Sequence, residues 1–364
     1  MGLIRLVLAL AVLLSHLPGS PFKFISGAMA VQSFFIISGF YMALVLDGKY
    51  ADRGLFYSNR LLRLAPTYAA MAAITAVALF VFRISATATP ELFQTAYANP
   101  LTAAVMVFEN IAVVGQELLF WFRISDDGGL IFDSTGVLPG ETTTVGWQAL
   151  LVPQSWSLSM ELMFYALAPF LARMSWKAVL GVAVASIALR FAGHWLPVDY
   201  PLWAGRLFPT ALFLFLLGML AHRALPLAKR TPRAVGVVLA VVMLAVLMFL
   251  PLVLPVLGWK GEPVRFGVYL AVAATTPFIF NAFRTVGWDR WIGELSYPLY
   301  LCHLFVIAVL LQYAPEGAPW LVWAAIGASI AMSALLVMLI EAPVDRWRQA
   351  RVRRSSAEEN PPVF

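Results

Sequence analysis

Ten stretches of mostly apolar residues recur along this 364-residue chain, each close in length to what a lipid bilayer demands of a helix. They fall at about 3–18, 27–46, 62–82, 155–172, 177–195, 206–222, 234–255, 266–283, 292–313 and 319–341. Crossing the hydrocarbon core takes about 20 mostly apolar residues. Composition agrees. The chain is 61% hydrophobic and 12% charged, where a soluble globular chain carries about 25% charged residues. These figures exclude a soluble enzyme, a disordered chain, a coiled coil and a nucleic-acid-binding protein. The expectation is an all-α polytopic membrane protein: one membrane-embedded unit over 1–345 and a basic cytoplasmic tail over 346–364. The first stretch, with Arg5 before an apolar core, is signal-peptide-like. It lacks a small-residue cleavage site and further spans follow, so it reads as an uncleaved helix.

A further apolar stretch, 101–122, contains Glu109, Asn110, Gln116 and Glu117. Whether it crosses is a question of parity, and charge answers it, because Lys and Arg favour cytoplasmic loops. Place the N-terminus inside and let 101–122 not cross. The inside segments then hold Arg5, then Lys49, Arg53, Arg60 and Arg63, then Arg173 and Lys177. Arg223, Lys229, Arg230 and Arg233 follow, then Arg284 and Arg290. The tail adds Arg346, Arg348, Arg351, Arg353 and Arg354, which makes eighteen of the 25 basic residues. A crossing at 101–122 would send the tail and the Arg223–Arg233 cluster outside, and bring Asp126, Asp127, Asp133 and Glu141 inside. The bias predicts ten spans with both termini cytoplasmic. Segment 101–122 is then re-entrant or lies against the outer interface, and can line a wet cavity. The Gly-, Asp- and Thr-rich stretch 123–153 reads as a periplasmic loop, and the basic tail as a contact with anionic headgroups. A single cysteine, Cys302, excludes an internal disulfide, and four histidines argue against a structural metal site.

Ionisable residues inside a bilayer are costly and default to functional hypotheses. Arg5 and His16 are eleven positions apart on the first helix, roughly 16 Å at 1.5 Å per residue. That puts Arg5 at the cytoplasmic rim and His16 about halfway across. A neutral imidazole there can take a proton from a hydroxyl or be tied to a neighbouring helix. Arg60 and Arg63 form an i,i+3 pair on one helix face. Two guanidiniums so placed can bind phosphate bidentately or serve as anchors at the membrane face. Glu161, roughly a third of the way in from outside, can orient an imidazole or a sugar hydroxyl, or pair with an arginine. His303 falls near mid-depth, close enough to Tyr297 and Tyr300 to share a face. Glu341 ends the last span at the cytoplasmic side, where pairing with the Arg60/Arg63 cluster suits it. His194 and His222 fall at span ends and read as interface residues. Arg190 can snorkel outward. Glu109 can line the cavity or pair with Arg123.

Taken together these segments resemble the acyltransferase family 3 membrane proteins, over almost the whole chain from Arg5 to about Arg346. Arg5-x10-His16 is similar to that family's first-helix Arg-x10-His. Ser33-Phe34-Phe35-Ile36-Ile37-Ser38-Gly39-Phe40 resembles its Phe-Phe-x-x-Ser-Gly-Phe. Arg60-x-x-Arg63 with Pro66 resembles Arg-x-x-Arg-x-x-Pro, and Trp156-Ser157-Leu158-Ser159-Met160-Glu161 resembles Trp-Ser-Leu-x-x-Glu. Ser296-Tyr297-Pro298-Leu299-Tyr300-Leu301-Cys302-His303 resembles Ser-Tyr-x-x-Tyr-Leu-x-His, and Glu341-Ala342-Pro343 the closing Glu-x-Pro. There are departures. Gln32 stands where the family's Gly-x-Asp element has its carboxylate, and Glu161 is followed by Leu162-Met163 rather than a second acidic residue and Gln. The stretch after His16 is also atypical. The chain leaves no room for the fused periplasmic hydrolase-like domain of some relatives.

The resemblance implies acyl transfer from cytoplasmic acyl-CoA, acetyl-CoA being the first expectation, to a hydroxyl of a glycan or small glycosylated molecule. It implies Arg60 and Arg63, with Arg5, as binders of the CoA phosphates at the inner mouth. His16 would be general base or acyl acceptor, Glu161 and His303 would orient it or the acceptor, and Tyr300 would donate to the developing oxyanion. No metal and no nucleic acid enter this reading; the lipid bilayer does, as a bacterial inner membrane. The competing class is a transporter or flippase for a lipid-linked sugar. It also needs a polar pore, but not the Arg-x10-His spacing, and it usually shows internal repeats, which the sequence lacks. A non-catalytic membrane subunit would have no reason to bear so many buried charges.

Overall fold

The computed structural model describes residues 1–47, 53–134, 144–315 and 318–359, with side chains up to 352. Lys49 and Glu141, both used in the charge argument, lie outside the described residues, as do the side chains of Arg353 and Arg354. In chain order the helices are α1 (Gly2–His16), α2 (Gly27–Leu46), α3 (Arg53–Phe82), α4 (Pro90–Ala98) and α5 (Pro100–Ala112). Then come α6 (Trp156–Leu171), α7 (Trp176–Ala192), α8 (Tyr200–Arg206), α9 (Phe208–His222) and α10 (Leu225–Arg230). α11 (Arg233–Leu257), α12 (Glu262–Phe283), α13 (Gly287–Tyr313), α14 (Leu321–Leu336) and α15 (Ala342–Glu359) complete the set. Each of the ten apolar stretches is helical over most of its length. Among the described residues, six helices are long and apolar enough to cross a membrane, or seven if α8 and α9, bent by 44°, count as one span. The protein is an all-α membrane protein.

Helix directions follow from who meets whom. α1 and α13 run parallel. The backbone N–H groups of Gly2 and Leu3 donate to the Asp289 carboxylate at 2.9 and 3.0 Å, capping the start of α1. Fourteen residues further along each helix, the His16 and His303 rings meet at 5.1 Å. α3 and α6 run antiparallel, since Arg53 lies over the Phe170 ring and the Tyr57 hydroxyl donates to the Ala166 carbonyl. Everything between them, 101–122 included, therefore leaves and returns at one end of the bundle.

α2 and α9 approach closely along their length. An ideal Cβ on Gly39 would lie 1.9 Å from the Phe215 carbonyl oxygen, and one on Gly218 1.9 Å from that of Ile36. Small residues let helix backbones come this near in lipid, where burial of apolar surface gives little drive for association. Around them Phe35, Phe164 and Phe215 stack at 4.6 and 4.3 Å between centroids.

The stretch read as a loop, 123–153, is more structured than its composition suggested. β1 (Phe122–Ile124) pairs antiparallel with β2 (Leu130–Phe132), Arg123 opposite Ile131, and with β3 (Thr144–Val145), Arg123 opposite Val145. Strands of two or three residues are too short to leave an alternating pattern. The β1–β2 connection turns at Gly128, with φ at +80°, a region open to Gly without steric cost. Two charge expectations are corrected here. Arg123 pairs with Asp133 at 2.6 Å, both buried, so Glu109 is not its partner. Arg190 does not snorkel. It is fully buried, bonded to Glu262 at 3.1 Å and to the Ala204 carbonyl, with its guanidinium over Phe213 and Phe266. Glu262 at the start of α12 neutralises it, which removes the reason to reach for water.

Candidate active site

One large cavity, ≈ 990 Å³, opens among α1, α2, α3, α6, α13 and α15. Its basic lining is dense: Arg5, Arg60, Arg63, Arg284, Arg290, Arg346 and Arg348. The cavity follows α13 from Asp289 through Gly293 and Tyr297 to Tyr300, a depth of about 16 Å at the helical rise. The volume is at the upper end for a small-molecule site.

Each arginine is placed by its helix. Arg5 is one turn inside α1, where Gly293 of α13 leaves room, its Cβ position 3.8 Å from Arg5 Nη1. Arg60 and Arg63 lie one turn apart on α3, as their spacing required. Arg63 Nη1 donates to Glu341 Oε2 at 3.3 Å, and Thr67 Oγ1 donates to the other carboxylate oxygen at 3.1 Å. Glu341 is turned toward them by a five-residue π-helical stretch, Val337–Glu341, that ends the last apolar helix. Such stretches often mark functional positions. Arg60 is not committed in this way: its Nε is buried without a hydrogen-bond partner, and its Cζ lies 5.9 Å from the Phe56 ring. Replacing Arg63 by Ala strands the buried Glu341 carboxylate. The expected cost is about 2 kcal/mol, below the usual 3–5 for a fully buried pair because Arg63 is 22% exposed; thermal unfolding in detergent measures it.

Glu161 also faces this cavity. Ser38 Oγ donates to its Oε1 at 2.7 Å, and the Tyr165 hydroxyl donates to the same oxygen. It touches neither His16 nor an arginine. Ser38 and Tyr165 are site residues that sequence reasoning missed. Ser38 lay inside a motif already quoted, and Tyr165 is one helical turn after Glu161.

Tyr300 lines the inner end. Its hydroxyl donates to the Gln154 carbonyl at 2.7 Å and lies 2.6 Å from Ser157 Oγ. Its ring is 5.7 Å from that of His303. His303 is fully buried and His16 is exposed; neither lines the cavity. His16 is the last residue of α1, with Leu17 extended and Pro18-Gly19 following. The residue before a proline is pushed out of the helical region. His16 Nδ1 lies 2.8 Å from the Val12 carbonyl and His303 Nδ1 2.6 Å from that of Tyr300. A carbonyl only accepts, so both Nδ1 atoms carry the proton and both Nε2 atoms keep a lone pair. His303 Nε2 has no partner. The arrangement offers two neutral bases side by side, beyond a tyrosine that closes a cation-lined pocket.

The segment set apart as a tail contributes as well. Arg346, Arg348, Gln349 and Val352 line the cavity mouth, and Arg351 Nη2 donates to Ser58 Oγ of α3 at 2.9 Å. Among the described residues no cluster of three His, Cys, Asp or Glu could hold a metal. His194 stacks on Tyr200 at 3.7 Å and His222 lies 4.0 Å from Asp47, both away from the cavity.

A family profile described as an acyltransferase domain matches residues 1–340. Among curated proteins the chain is similar to the exopolysaccharide production protein ExoZ of Rhizobium meliloti (strain 1021). The two are 25% identical over 343 residues, which cover 92% of this chain and 94% of that protein. No solved structure matches. With a match that covers residues 1–340, the chain belongs to acyltransferase family 3 and is an integral-membrane acyltransferase.

Proposed function

We propose that the protein moves an acetyl group from cytoplasmic acetyl-CoA to a hydroxyl of an exported or cell-surface glycan, or of a glycosylated small molecule. The observation that carries this reading is the large cavity, cationic at its mouth and closed by Tyr300, with the His16–His303 pair beyond. Phosphates of the donor sit among Arg60, Arg63 and Arg5 with the basic residues of the mouth, and the thioester arm runs inward along α13. His16 Nε2 takes the acceptor's proton as general base, or accepts the acyl group itself. The name of the relative, an exopolysaccharide production protein, supports a polysaccharide acceptor. The transport alternative draws nothing from the family match.

The same reading orients the chain. Ten crossings, with both termini in the cytoplasm of a bacterium and the bundle in its inner membrane, put the arginine-rich mouth on the side where acyl-CoA is found. The antiparallel course of α3 and α6 supports a segment 101–122 that does not cross.

Arg60→Ala is expected to raise the acetyl-CoA KM about 10-fold, the worth of one charge-assisted hydrogen bond, with kcat little changed. Steady-state kinetics at saturating acceptor checks it, and an unchanged KM reassigns Arg60 to anchoring. Mass spectrometry of surface glycans and secreted glycosides, with and without the gene, tests the reading as a whole. An acetyl difference on a glycan supports it. Identical glycans and glycosides in both strains contradict it.

A further inference from the structure

Arg206 is a half-buried cation that the scheme above leaves unused. It ends α8, at the 44° bend into α9. Its guanidinium sits in a corner between two rings: Cζ is 3.7 Å from the Trp156 ring centre and 4.2 Å from that of Phe120, and the rings stand at 82° to each other. Nη1 is buried and has no hydrogen-bond partner. Among the described residues no carboxylate makes an ion pair with it. On α2, Gln32 Nε2 lies 3.8 Å from the Cβ position of the adjacent Gly205, and Gln32 Oε1 accepts a hydrogen bond from Tyr269. A guanidinium held between two rings, with one buried N–H left without a partner, is complementary to a negative charge that is absent at rest.

The place fits a charge that arises during the reaction. Trp156, whose ring lies against Arg206, is followed by Ser157, whose Oγ is 2.6 Å from the Tyr300 hydroxyl, and the Tyr300 ring leads on to His303 and His16. Tyr300, the other donor in reach, has its hydroxyl engaged by the Gln154 carbonyl and Ser157. Building on the acyl-transfer reading above, we propose that Arg206 donates Nη1–H to the oxyanion formed on the thioester carbonyl when the acceptor hydroxyl attacks it. The acceptor oxygen bonds to the carbonyl carbon, the carbonyl π pair moves onto oxygen, and the acceptor proton goes to His16 Nε2. On collapse the oxyanion re-forms the carbonyl, the C–S bond breaks, and the CoA thiolate takes the proton back from His16. The two rings fix the planar fork by cation–π contact without neutralising it.

The test uses the full-length protein in nanodiscs, with radiolabelled acetyl-CoA as donor and the cell-surface polysaccharide fraction as acceptor. Arg206→Leu is expected to lower kcat by ~10²–10³-fold, the usual effect of removing one oxyanion donor, with both KM values within about 2-fold of wild type. Arg206→Lys, which keeps the charge in the aromatic corner, should recover about 10-fold of the loss. Methylguanidine added to Arg206→Ala should restore part of the turnover, a response that a purely structural role would not give. Acetyl-CoA binding, measured on each variant, reports folding; should Arg206→Leu fail to bind donor, Arg206→Lys decides. Wild-type kcat in the variants overturns the inference while leaving the acyl-transfer reading intact. So does a loss confined to the polysaccharide KM, which would make Arg206 an anchor for a charge already on the acceptor. If the wild-type chain itself transfers no label, the acyl-transfer reading fails and the inference falls with it.

Discussion

His16→Ala lowers acyl transfer by ~10²–10⁴-fold, the range expected when a general base is removed, and leaves acetyl-CoA binding unchanged. The second half of that result separates catalysis from damage. His16 is exposed at the last residue of α1 and lines no part of the donor cavity. Its one hydrogen bond is to the Val12 carbonyl of its own helix. Its ring meets His303 at 5.1 Å but sits at the exposed end of α1, so the variant should insert, purify and bind donor as wild type does. His303→Ala offers the contrast. That ring is fully buried against its neighbours, and emptying the site costs stability as well as turnover. Wild-type turnover in His16→Ala would remove His16 from the mechanism.

Gly39→Val and Gly218→Val abolish the folded protein. At each position the added Cβ alone would lie 1.9 Å from a backbone oxygen of the facing helix. Backbone cannot rotate away as a side chain can, so α2 and α9 must separate along the interface that holds Phe35, Phe164 and Phe215 together. The penalty should exceed the ~1–3 kcal/mol typical of overpacking, a large share of the roughly 5–15 kcal/mol that holds a native protein together. Size-exclusion profiles and thermal unfolding in detergent read this directly. Gly181→Ala is the control: nothing lies within 4 Å of its Cβ position, and Ala in a helix interior is neutral or stabilising by ~0.5–1 kcal/mol. Equal loss in all three would mean that glycine matters here for reasons other than close approach.

Much of this architecture was legible in the sequence because the bilayer leaves few choices. Length and hydropathy located the helices, and the i,i+3 spacing of Arg60 and Arg63 put both on the cavity face. Glu341 was expected beside that pair and meets Arg63. Partner choice was less visible. Arg190 looked free to snorkel because Glu262 is 72 residues away in sequence, and no local pattern links them. Arg123 had two acids within reach of the argument, and the hairpin that delivers Asp133 rests on strands too short to recognise. The end of α1 at His16 was legible in Pro18 and Gly19, although the apolar run alone suggested 18. In the basic tail, Arg348 and Arg351 bond back to α3, a pairing that no local pattern announced. Arg206 carried no signal, since a lone arginine at the edge of an apolar run is what an anchor looks like too.

The central claim is that donor chemistry enters from the cytoplasmic mouth and reaches His16 through the bundle. Sealed vesicles of defined orientation, loaded with the polysaccharide fraction and given radiolabelled acetyl-CoA on the cytoplasmic face only, test it most directly. Label should appear on polysaccharide held on the opposite side, and should be absent with His16→Ala. Labelling that occurs only when acetyl-CoA and polysaccharide share one side, or that persists in His16→Ala, would contradict the account.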